Sequence, residues 1–455
     1  MYTYQDLLNV PDREQPRMDF VRQVIQAHKG TDLYKQADIA DSYDKGRNVT
    51  IMQYQKLLYT VTGKAVPDNY SANYKMRSKF FNRFVTQENQ YLLGKGITWE
   101  DTTTADKLGN NFEDMVQKAG KNALVHGVSF GFWNYDHLET FSVLEFAPLY
   151  DEENGALMAG VRFWQIDSNK PLRATFYELD GYTQYAWEAG KGKMLAEKRP
   201  YVLNVVESEI DGERIYDGWN YPSFPIVPLW GNPHKQSELE GLRENIDAYD
   251  LIKSGFANDI DDASAIYWTI QNAGGMDDVD LVQFVERMKT VKAAVVADDG
   301  ASAEAHTMDV PTNARETILN RLRKDLYEDY MALDTKEIAG GAVTATQIRA
   351  AYEPMDDKAD QYEYQICQFI KGILELAGIE DIPTFTRSRL VNVQEEVSTV
   401  LQAAQYLDGE YVTRKILTLL GDGEQADEVL KRMDEESMAR FNNAAFAGGY
   451  ENESE

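Results

Sequence analysis

The chain has 455 residues, 43% of them hydrophobic and 11% aromatic, which excludes a disordered protein and allows about two to four domains with substantial cores. Its 75 acidic residues against 46 basic ones give a net charge of −29. This balance argues against a conventional basic nucleic-acid-binding domain, although not against a surface past which DNA slides. The single cysteine, Cys367, excludes an internal disulfide and fits a reducing compartment, and no apolar run is long enough for a membrane span or signal peptide.

The first 120 residues are predicted to be mostly helical. Apolar residues at helical spacing mark one helix around Phe20–Ile25 and another around Phe80–Leu92, and one or two further helices are expected before residue 127. The stretch from Lys75 to Arg83 is locally basic. Two interpretations of it stay open: contact with an acidic neighbouring subunit, or a solvated helix face.

Between residues 121 and 235 the pattern changes. Aromatic and β-branched segments alternate with turn clusters such as DEENG, which predicts an antiparallel β region of several strands. The proline-dense segment 222–233 then leads away from the sheet.

Helical spacing resumes at Ser237, which with Glu240 matches a capping box, so a long helix is predicted from there to about Ala265. Residues 266–312 predict a small αβ insert with strands at IYWTIQ and VKAAVVA, a helix between them and a returning segment, SAEAHTMDV. A second long helix follows, and its apolar seam consists of Ile318, Leu322, Leu326, Tyr330 and Leu333.

A short glycine-containing loop comes next. Gly340 and Gly341 supply backbone freedom, and Thr344 with Gln347 forms a second capping box, flanked by Val343 and Ile348 as a hydrophobic staple. The helix that begins there is expected to be interrupted or kinked near Pro354. The last 70 residues are predicted to be helical, with an acidic end.

No enzyme motif is recognisable. The five histidines lack metal-ligand spacing, and LGKG at 93–96 lacks the spacing of a phosphate-binding loop. The DIDDAS segment lacks the glycine turn and distal glutamate of a calcium loop, so a solvated acidic face is favoured over a metal site. No cofactor is expected.

The order of these elements resembles the portal proteins of tailed bacteriophages, of the siphophage type with wing, stem, clip and crown. Residues 73–98 (NYKMRSKFFNRFVTQENQYLLGKGIT) resemble the family's N-terminal helix with its Leu-Leu-Gly-Lys ending, and residues 227–272 resemble the segment leading into the first stem helix and the clip. The resemblance implies an α+β fold, mainly long α-helices with a β-rich wing and a small αβ clip.

The resemblance also implies a division of the chain. Its parts are an N-terminal helical part of the wing (1–120), a β-rich wing (121–235), a first stem helix (236–265), a clip (266–312), a second stem helix (313–334), a tunnel loop (335–345), a long wing or backbone helix (346–385), and a crown with an acidic tail (386–455).

Two sets of site residues follow from the resemblance. The DNA-facing candidates of the tunnel loop are Lys336, Glu337, Ile338, Ala339, Gly340, Gly341, Ala342, Val343 and Thr344. The channel-facing acidic candidates of the first stem helix are Glu244, Asp247, Asp250, Asp259, Asp261 and Asp262. The alternatives are an ordinary helix–helix connection for the loop and a solvated outer face for the acids.

The implied function is structural rather than enzymatic. A ring of about twelve subunits would sit at one capsid vertex and let double-stranded DNA pass without sequence specificity. The implied partners are the terminase large subunit, the major capsid protein, the scaffolding protein and a head-completion adaptor, with no membrane; the protein would assemble in the host cytoplasm and reside in the virion. The alternatives are another head–tail adaptor or a metal-dependent nuclease or hydrolase that uses Asp259 and Asp262.

Overall fold

A computed structural model describes residues 1–59, 63–68, 73–207, 214–263, 267–271, 283, 302–306, 310–338, 344–389 and 393–447. They form a mixed α+β fold, as predicted. The chain divides into two compact units: Met1–Ala332 with Ala359–Thr386, and Leu333–Lys358 with Arg387–Glu455.

The N-terminal part of the first unit is mostly helical, as predicted. Its helices are α1 (Tyr4–Leu8), α2 (Glu14–Gly30), α3 (Asp32–Asp44), α4 (Val49–Gln53), α5 (Phe80–Leu93), α6 (Thr104–Leu108) and α7 (Phe112–His126). Three short strands lie between them: β1 (Leu57–Tyr59), β2 (Ala65–Pro67) and β3 (Ile97–Thr98).

The predicted antiparallel β region is confirmed. Its strands are β4 (Val128–Asn134), β5 (His137–Ser142), β6 (Phe146–Tyr150), β7 (Leu157–Trp164), β8 (Leu172–Glu178), β9 (Gly181–Glu188), β10 (Lys191–Arg199), β11 (Val202–Glu207), β12 (Arg214–Trp219) and β13 (Ile226–Trp230). They form a five-stranded sheet in the order β10-β9-β8-β7-β6, a three-stranded sheet in the order β13-β4-β5, and a β11–β12 pair.

The remaining elements are again mainly helical. They are α8 (Arg243–Ala263), β14 (Tyr267–Gln271), β15 (Ser302–His306), α9 (Thr312–Tyr330), α10 (Thr335–Ile338), α11 (Ala345–Ala377), β16 (Thr384–Phe385), α12 (Val393–Ala403), α13 (Gly409–Leu420) and α14 (Ala426–Ala447). Of the interruption or kink predicted near Pro354, the interruption is wrong: α11 continues through that residue. Proline removes only one helical hydrogen bond, and the neighbouring Tyr352 and Met355 are both buried.

Two apolar clusters form the core of the first unit. The larger cluster packs α5 and α7 on the three-stranded sheet through fully buried rings such as Phe81, Phe84 and Phe130. The smaller cluster packs α2 on the five-stranded sheet, where Val21 and Ile25 contribute the helix side. The apolar stripe of α2 thus covers a sheet face, as its helical spacing predicts.

His28, in the C-terminal half of α2, is a buried histidine that also packs against Phe163 of the five-stranded sheet. Its side chain is buried, and its Nε2 lies 2.8 Å from the carbonyl oxygen of Val143. Burial lowers the pKa of His28, although the Val143 carbonyl opposes that shift. Neutral imidazole is therefore the form that this site favours.

We expect the free energy of unfolding to fall as the pH drops below about 6.5, because the unfolded chain then binds a proton that folded His28 resists. The slope from this one residue approaches at most about 1.4 kcal/mol per pH unit. Urea unfolding at several pH values measures it. His28→Gln should flatten the slope relative to the wild type, whereas His234→Gln, which changes an exposed histidine, should not.

Candidate channel-lining site

Helix α8, which carries the acidic candidates, is fixed to the rest of the first unit by a ladder of hydrogen bonds. Asp250, Ser254 and Asn258 are four residues apart and therefore lie on one helix face. Their side-chain oxygens accept hydrogen bonds from the backbone N–H groups of Ser78, Met76 and Tyr74, at 2.8, 2.9 and 2.7 Å respectively. Four helical residues rise about 6 Å, close to the advance of two extended residues, so the helix face matches alternate N–H groups of the 74–78 segment.

Asp250 is the centre of this ladder and corrects the sequence expectation. Its side chain is fully buried and also accepts a hydrogen bond from the Asn48 amide. Burial raises the pKa of Asp250, while the hydrogen bonds from Asn48 and Ser78 oppose that shift. Because the carboxylate is enclosed by its own subunit, it does not belong to an exposed acidic face.

Asp247 and Asp259 are also engaged within the subunit. Asp247 accepts hydrogen bonds from the hydroxyl groups of Tyr43 at 2.5 Å and Thr50 at 2.6 Å. Asp259 forms an ion pair with Arg315 of α9. These two carboxylates therefore connect α8 to α3, α4 and α9 rather than standing free.

The other three acidic candidates are Glu244, Asp261 and Asp262. Glu244 and Asp261 are exposed on α8. The Asp262 side chain lies outside the described residues. Exposed acidic positions on this helix are thus fewer than the sequence pattern predicted, and the channel roles of Glu244, Asp261 and Asp262 stay predictions.

The start of α8 differs from the prediction. The helix begins at Arg243, and the expected cap, Ser237, is a buried residue of the preceding turn. The Ser237 hydroxyl donates to the Val125 carbonyl at 2.6 Å and accepts from the Leu239 N–H at 3.1 Å. This contact with the end of α7 satisfies the serine, so a turn replaces the first helical turn.

Helix α9 is anchored by a buried polar contact at its C-terminal end. The Tyr330 hydroxyl donates to Glu88 of α5 at 2.6 Å, and the Tyr330 ring stacks on Phe84 at 4.9 Å. Burial and the nearby Glu88 charge raise the pKa of Tyr330 well above its usual range, so the hydroxyl keeps its proton. The sequence analysis did not identify Glu88. Its position four residues after Phe84, on the apolar face of the predicted helix, was a signal that this carboxylate is buried.

The basic stretch before and in α5 is partly used inside the subunit. Lys75 Nζ donates to the Met52 carbonyl at 2.8 Å, and Arg83 donates to the Tyr327 hydroxyl at 2.9 Å. Arg77 and Lys79 are exposed. Arg83 is nevertheless exposed and Lys75 is half-exposed, so both interpretations of the stretch stay open.

The predicted tunnel loop is described only at its edges. Thr335–Ile338 form the short helix α10, with Lys336 exposed, and residues 339–343 lie outside the described residues. The predicted capping box is confirmed: Gln347 N–H donates to Thr344 Oγ1 at 3.3 Å, and Thr344 N–H donates to Gln347 Oε1 at 3.1 Å. These two hydrogen bonds therefore fix the N-terminus of α11. Val343, the first residue of the predicted hydrophobic staple, lies outside the described residues.

The described part of the predicted clip is an antiparallel strand pair. β14 pairs with β15 in a register that runs from Tyr267 opposite His306 to Gln271 opposite Ser302. This confirms the first and the returning strand segments of the prediction. The predicted helix and the VKAAVVA strand lie outside the described residues, apart from residue 283.

Over the described ranges, no group of three or more metal-binding side chains meets, and no helix has the length and apolar character needed to cross a membrane.

Comparisons with known proteins point in one direction. A family model described as phage portal protein, SPP1 Gp6-like, matches residues 18–440. The portal protein of Clostridium phage phiCD119 is 26% identical over 231 residues, which cover 49% of this chain and 51% of that protein, so the match spans about half its length. The portal protein of Bacillus phage SPP1 is 23% identical over 394 residues, which cover 77% of this chain and 74% of that protein.

Solved structures give weaker similarity. One chain in the neck of an empty gene transfer agent particle, computed with C6 symmetry, is 11% identical to this chain, with a TM-score of 0.43. The match covers 75% of this chain and 90% of the neck chain. A chain in the neck of the native particle, computed with C12 symmetry, is 10% identical to this chain, with a TM-score of 0.41. That match covers 82% of this chain and 98% of the neck chain.

Proposed function

The chain belongs to the phage portal protein family of the SPP1 Gp6-like type, and from that membership we propose that its copies close into a ring of about twelve at one capsid vertex. The observation that carries the proposal is the family match over residues 18–440. Apolar residues on the two long helices support it, because Ile260 is 51% exposed and Ile318 is 48% exposed in the single chain. A neighbouring subunit would cover such side chains.

In this ring, α8 and α9 form the stem around an axial channel for double-stranded DNA. DNA carries one negative charge per about 1.7 Å of axis, so a basic wall would hold it by counterion release, whereas acidic side chains repel it. Screening over about 8 to 10 Å confines that repulsion to close approach, which keeps the polymer centred and free to slide. The candidates for this role are Glu244 and Asp261, which are exposed on α8, together with Asp262.

The tunnel loop, residues 335–345, projects toward the DNA in this proposal. The Thr344 capping box supports it, because a fixed helix start beyond the loop lets the loop move while α11 holds its place. Gly340 and Gly341 contribute the backbone freedom that such movement needs. Residues from Lys336 to Thr344 would then follow the DNA surface during packaging and ejection.

The clip, with its β14–β15 pair, is the docking end for the terminase large subunit and the head-completion adaptor. Short strand pairs can be extended by strands of neighbouring chains. The portal would assemble in the host cytoplasm with the scaffolding and major capsid proteins. It would have no enzymatic activity, because the terminase supplies the ATP hydrolysis.

The rival interpretation, a metal-dependent nuclease or hydrolase, depends on Asp259 and Asp262. The carboxylate of Asp259 is engaged by Arg315, whose guanidinium also lies 5.8 Å from the centre of the Phe256 ring. This arrangement suits a structural ion pair between two stem helices better than a metal ligand. The family match likewise favours a portal over another head–tail adaptor.

Purified protein at micromolar concentration is expected to form closed rings, visible by negative-stain microscopy and with a mass of about twelve subunits. The same preparation should not cleave duplex DNA when Mg²⁺ or Mn²⁺ is added. A species that stays monomeric even with scaffolding and capsid proteins would contradict the portal proposal. Cleavage that depends on the divalent ion and disappears in Asp259→Asn would favour the nuclease.

A further inference from the structure

A cleft of about 360 Å³ lies between α2 and one end of the five-stranded sheet, where the β7–β8 and β9–β10 connections are found. Its walls come from the C-terminal half of α2, the β7–β8 connection at 165–170 and the β9–β10 turn at 188–190. None of these segments belongs to the stem, the clip or the tunnel loop. The proposed function therefore assigns this cleft no role.

The charged side chains of the cleft are mostly basic, although the protein as a whole is strongly acidic. Arg22, Lys29 and Lys170 line it, and Glu188 is the one acidic lining residue among those that the structure describes. Arg22 donates to the Gly190 carbonyl at 3.3 Å, and Lys29 Nζ lies 5.2 Å from the centre of the Phe163 ring. Neither of these two contacts involves a carboxylate, and the three basic residues outnumber the single acidic one, Glu188.

A nearby cation of the same helix shows the contrast. Arg17, one and a half turns before Arg22 on α2, forms an ion pair with Glu178. Lys198 of β10 pairs with the same carboxylate at 3.1 Å. The sheet therefore supplies acidic partners outside the cleft, while the basic residues inside it retain capacity for an anion.

The loops around the cleft are held in fixed shapes. Gln165 Nε2 donates to the Lys170 carbonyl at 2.8 Å, which closes the β7–β8 connection. Ala189 and Gly190 both have positive φ, 47° and 81°, as a two-residue hairpin turn of type I′ requires. Since alanine is strained in this conformation, the surrounding contacts must hold the turn, and it directs the Gly190 carbonyl to Arg22.

An exposed apolar residue directly follows the cleft residue Gln165 in the chain. Ile166, in the β7–β8 connection, is 86% exposed, and the buried Trp187 lines the cleft itself. A free inorganic anion would use only the cations. A protein segment that carries both carboxylates and an apolar residue would use the cations and Ile166 together.

We propose that this cleft binds an acidic segment of a partner protein, with its carboxylates at Arg22, Lys29 and Lys170 and an apolar residue against Ile166. Duplex DNA fits less well, because the three cations converge on one concavity instead of following a line of regularly spaced phosphates. The net charge of −29 repels anions elsewhere on the surface, so binding of an acidic peptide has to arise locally. The proposal needs only the folded chain, and its failure would leave the ring proposal untouched.

Fluorescence anisotropy with two labelled peptides, EELEELEE and hexaglutamate, tests the cleft at low salt. The triple variant Arg22→Gln/Lys29→Gln/Lys170→Gln should weaken binding of both peptides about tenfold or more. The matched control Lys35→Gln/Lys95→Gln/Lys118→Gln removes the same charge from exposed positions outside the cleft and should leave binding nearly unchanged. Ile166→Ser should weaken EELEELEE but not hexaglutamate.

Each other outcome overturns the proposal. Equal loss in the control variant would mean general electrostatics, and no measurable binding would mean that the cleft has no acidic partner. Displacement of both peptides by millimolar phosphate, with no effect of Ile166→Ser, would identify a free-anion site. Tighter cleft-dependent binding of a short DNA duplex would identify a nucleic-acid site. If the triple variant unfolds, the single charge reversal Lys170→Glu, at an exposed loop position, provides the same comparison.

Discussion

Asp250→Ala is expected to lower the free energy of unfolding of the first unit by about 3 kcal/mol. The substitution removes the acceptor for the Ser78 N–H and for the Asn48 amide, and all three residues are buried. Each buried donor left without a partner costs about 1 to 3 kcal/mol, which exceeds what is recovered by no longer burying a carboxylate. Urea unfolding, followed by a probe in the first unit, measures the loss.

Two variants of the same helix sharpen this test. Glu244→Ala removes an exposed carboxylate and should change stability by no more than about 0.5 kcal/mol. Asp250→Asn keeps one acceptor oxygen, but its new NH₂ group would face the NH₂ group of Asn48, and two donors cannot bond to each other. The free energy of unfolding of this variant should therefore fall by an amount between those of the other two variants. An Asp250→Ala protein as stable as Glu244→Ala would show that the ladder contributes nothing, and Asp250 would return to the exposed candidates.

The buried face of α8 could not be predicted from the sequence. Helical spacing placed Asp250, Ser254 and Asn258 on one face, but their partners are backbone N–H groups more than 170 residues earlier. Backbone donors have no sequence signature, so the sequence predicted acidic residues that face a channel or solvent, and not a buried hydrogen-bonded face. The extended segment 74–78 was likewise recognisable only by its lysine and arginine residues.

Features that depend on neighbouring residues were predictable. The Thr344 cap needs only Gln347, three residues later, and the structure contains both of its hydrogen bonds. Ser237 with Glu240 has the same spacing, yet no helix begins there: α8 begins at Arg243, and the Ser237 hydroxyl accepts from the Leu239 N–H within a turn while it donates to the distant Val125 carbonyl. The spacing of a capping box alone therefore does not decide whether a helix starts.

Gly120 gives a second example, in which a glycine stands inside a helix for a reason that only the fold reveals. The sequence allowed one or two helices here, and α7 runs from Phe112 to His126 without a break at Gly120. A Cβ at this position would overlap the hydroxyl oxygen of Tyr362 and lie 2.8 Å from Asn89 Oδ1. The glycine thus makes room for the hydrogen bond between Tyr362 and Asn89, at 2.7 Å, which docks α11 on α5.

Gly120→Ala is therefore expected to destabilise the first unit by about 3 kcal/mol, even though alanine is the better helix former. Tyr362 and Asn89 are both buried and cannot move into solvent, so the substitution forces them apart and leaves polar groups unsatisfied. The matched control is Gly255→Ala, inside α8, where a Cβ would meet no atom within 4 Å; it should stabilise the chain by about 0.5 to 1 kcal/mol.

A double-mutant cycle separates the overlap from any other effect of the methyl group. Tyr362→Phe removes the oxygen that the new Cβ would meet, so Gly120→Ala should cost much less in that background, with a coupling energy of about 1 to 3 kcal/mol. If the losses in free energy of unfolding from Gly120→Ala and Tyr362→Phe simply add, the new methyl group and the Tyr362 hydroxyl do not overlap.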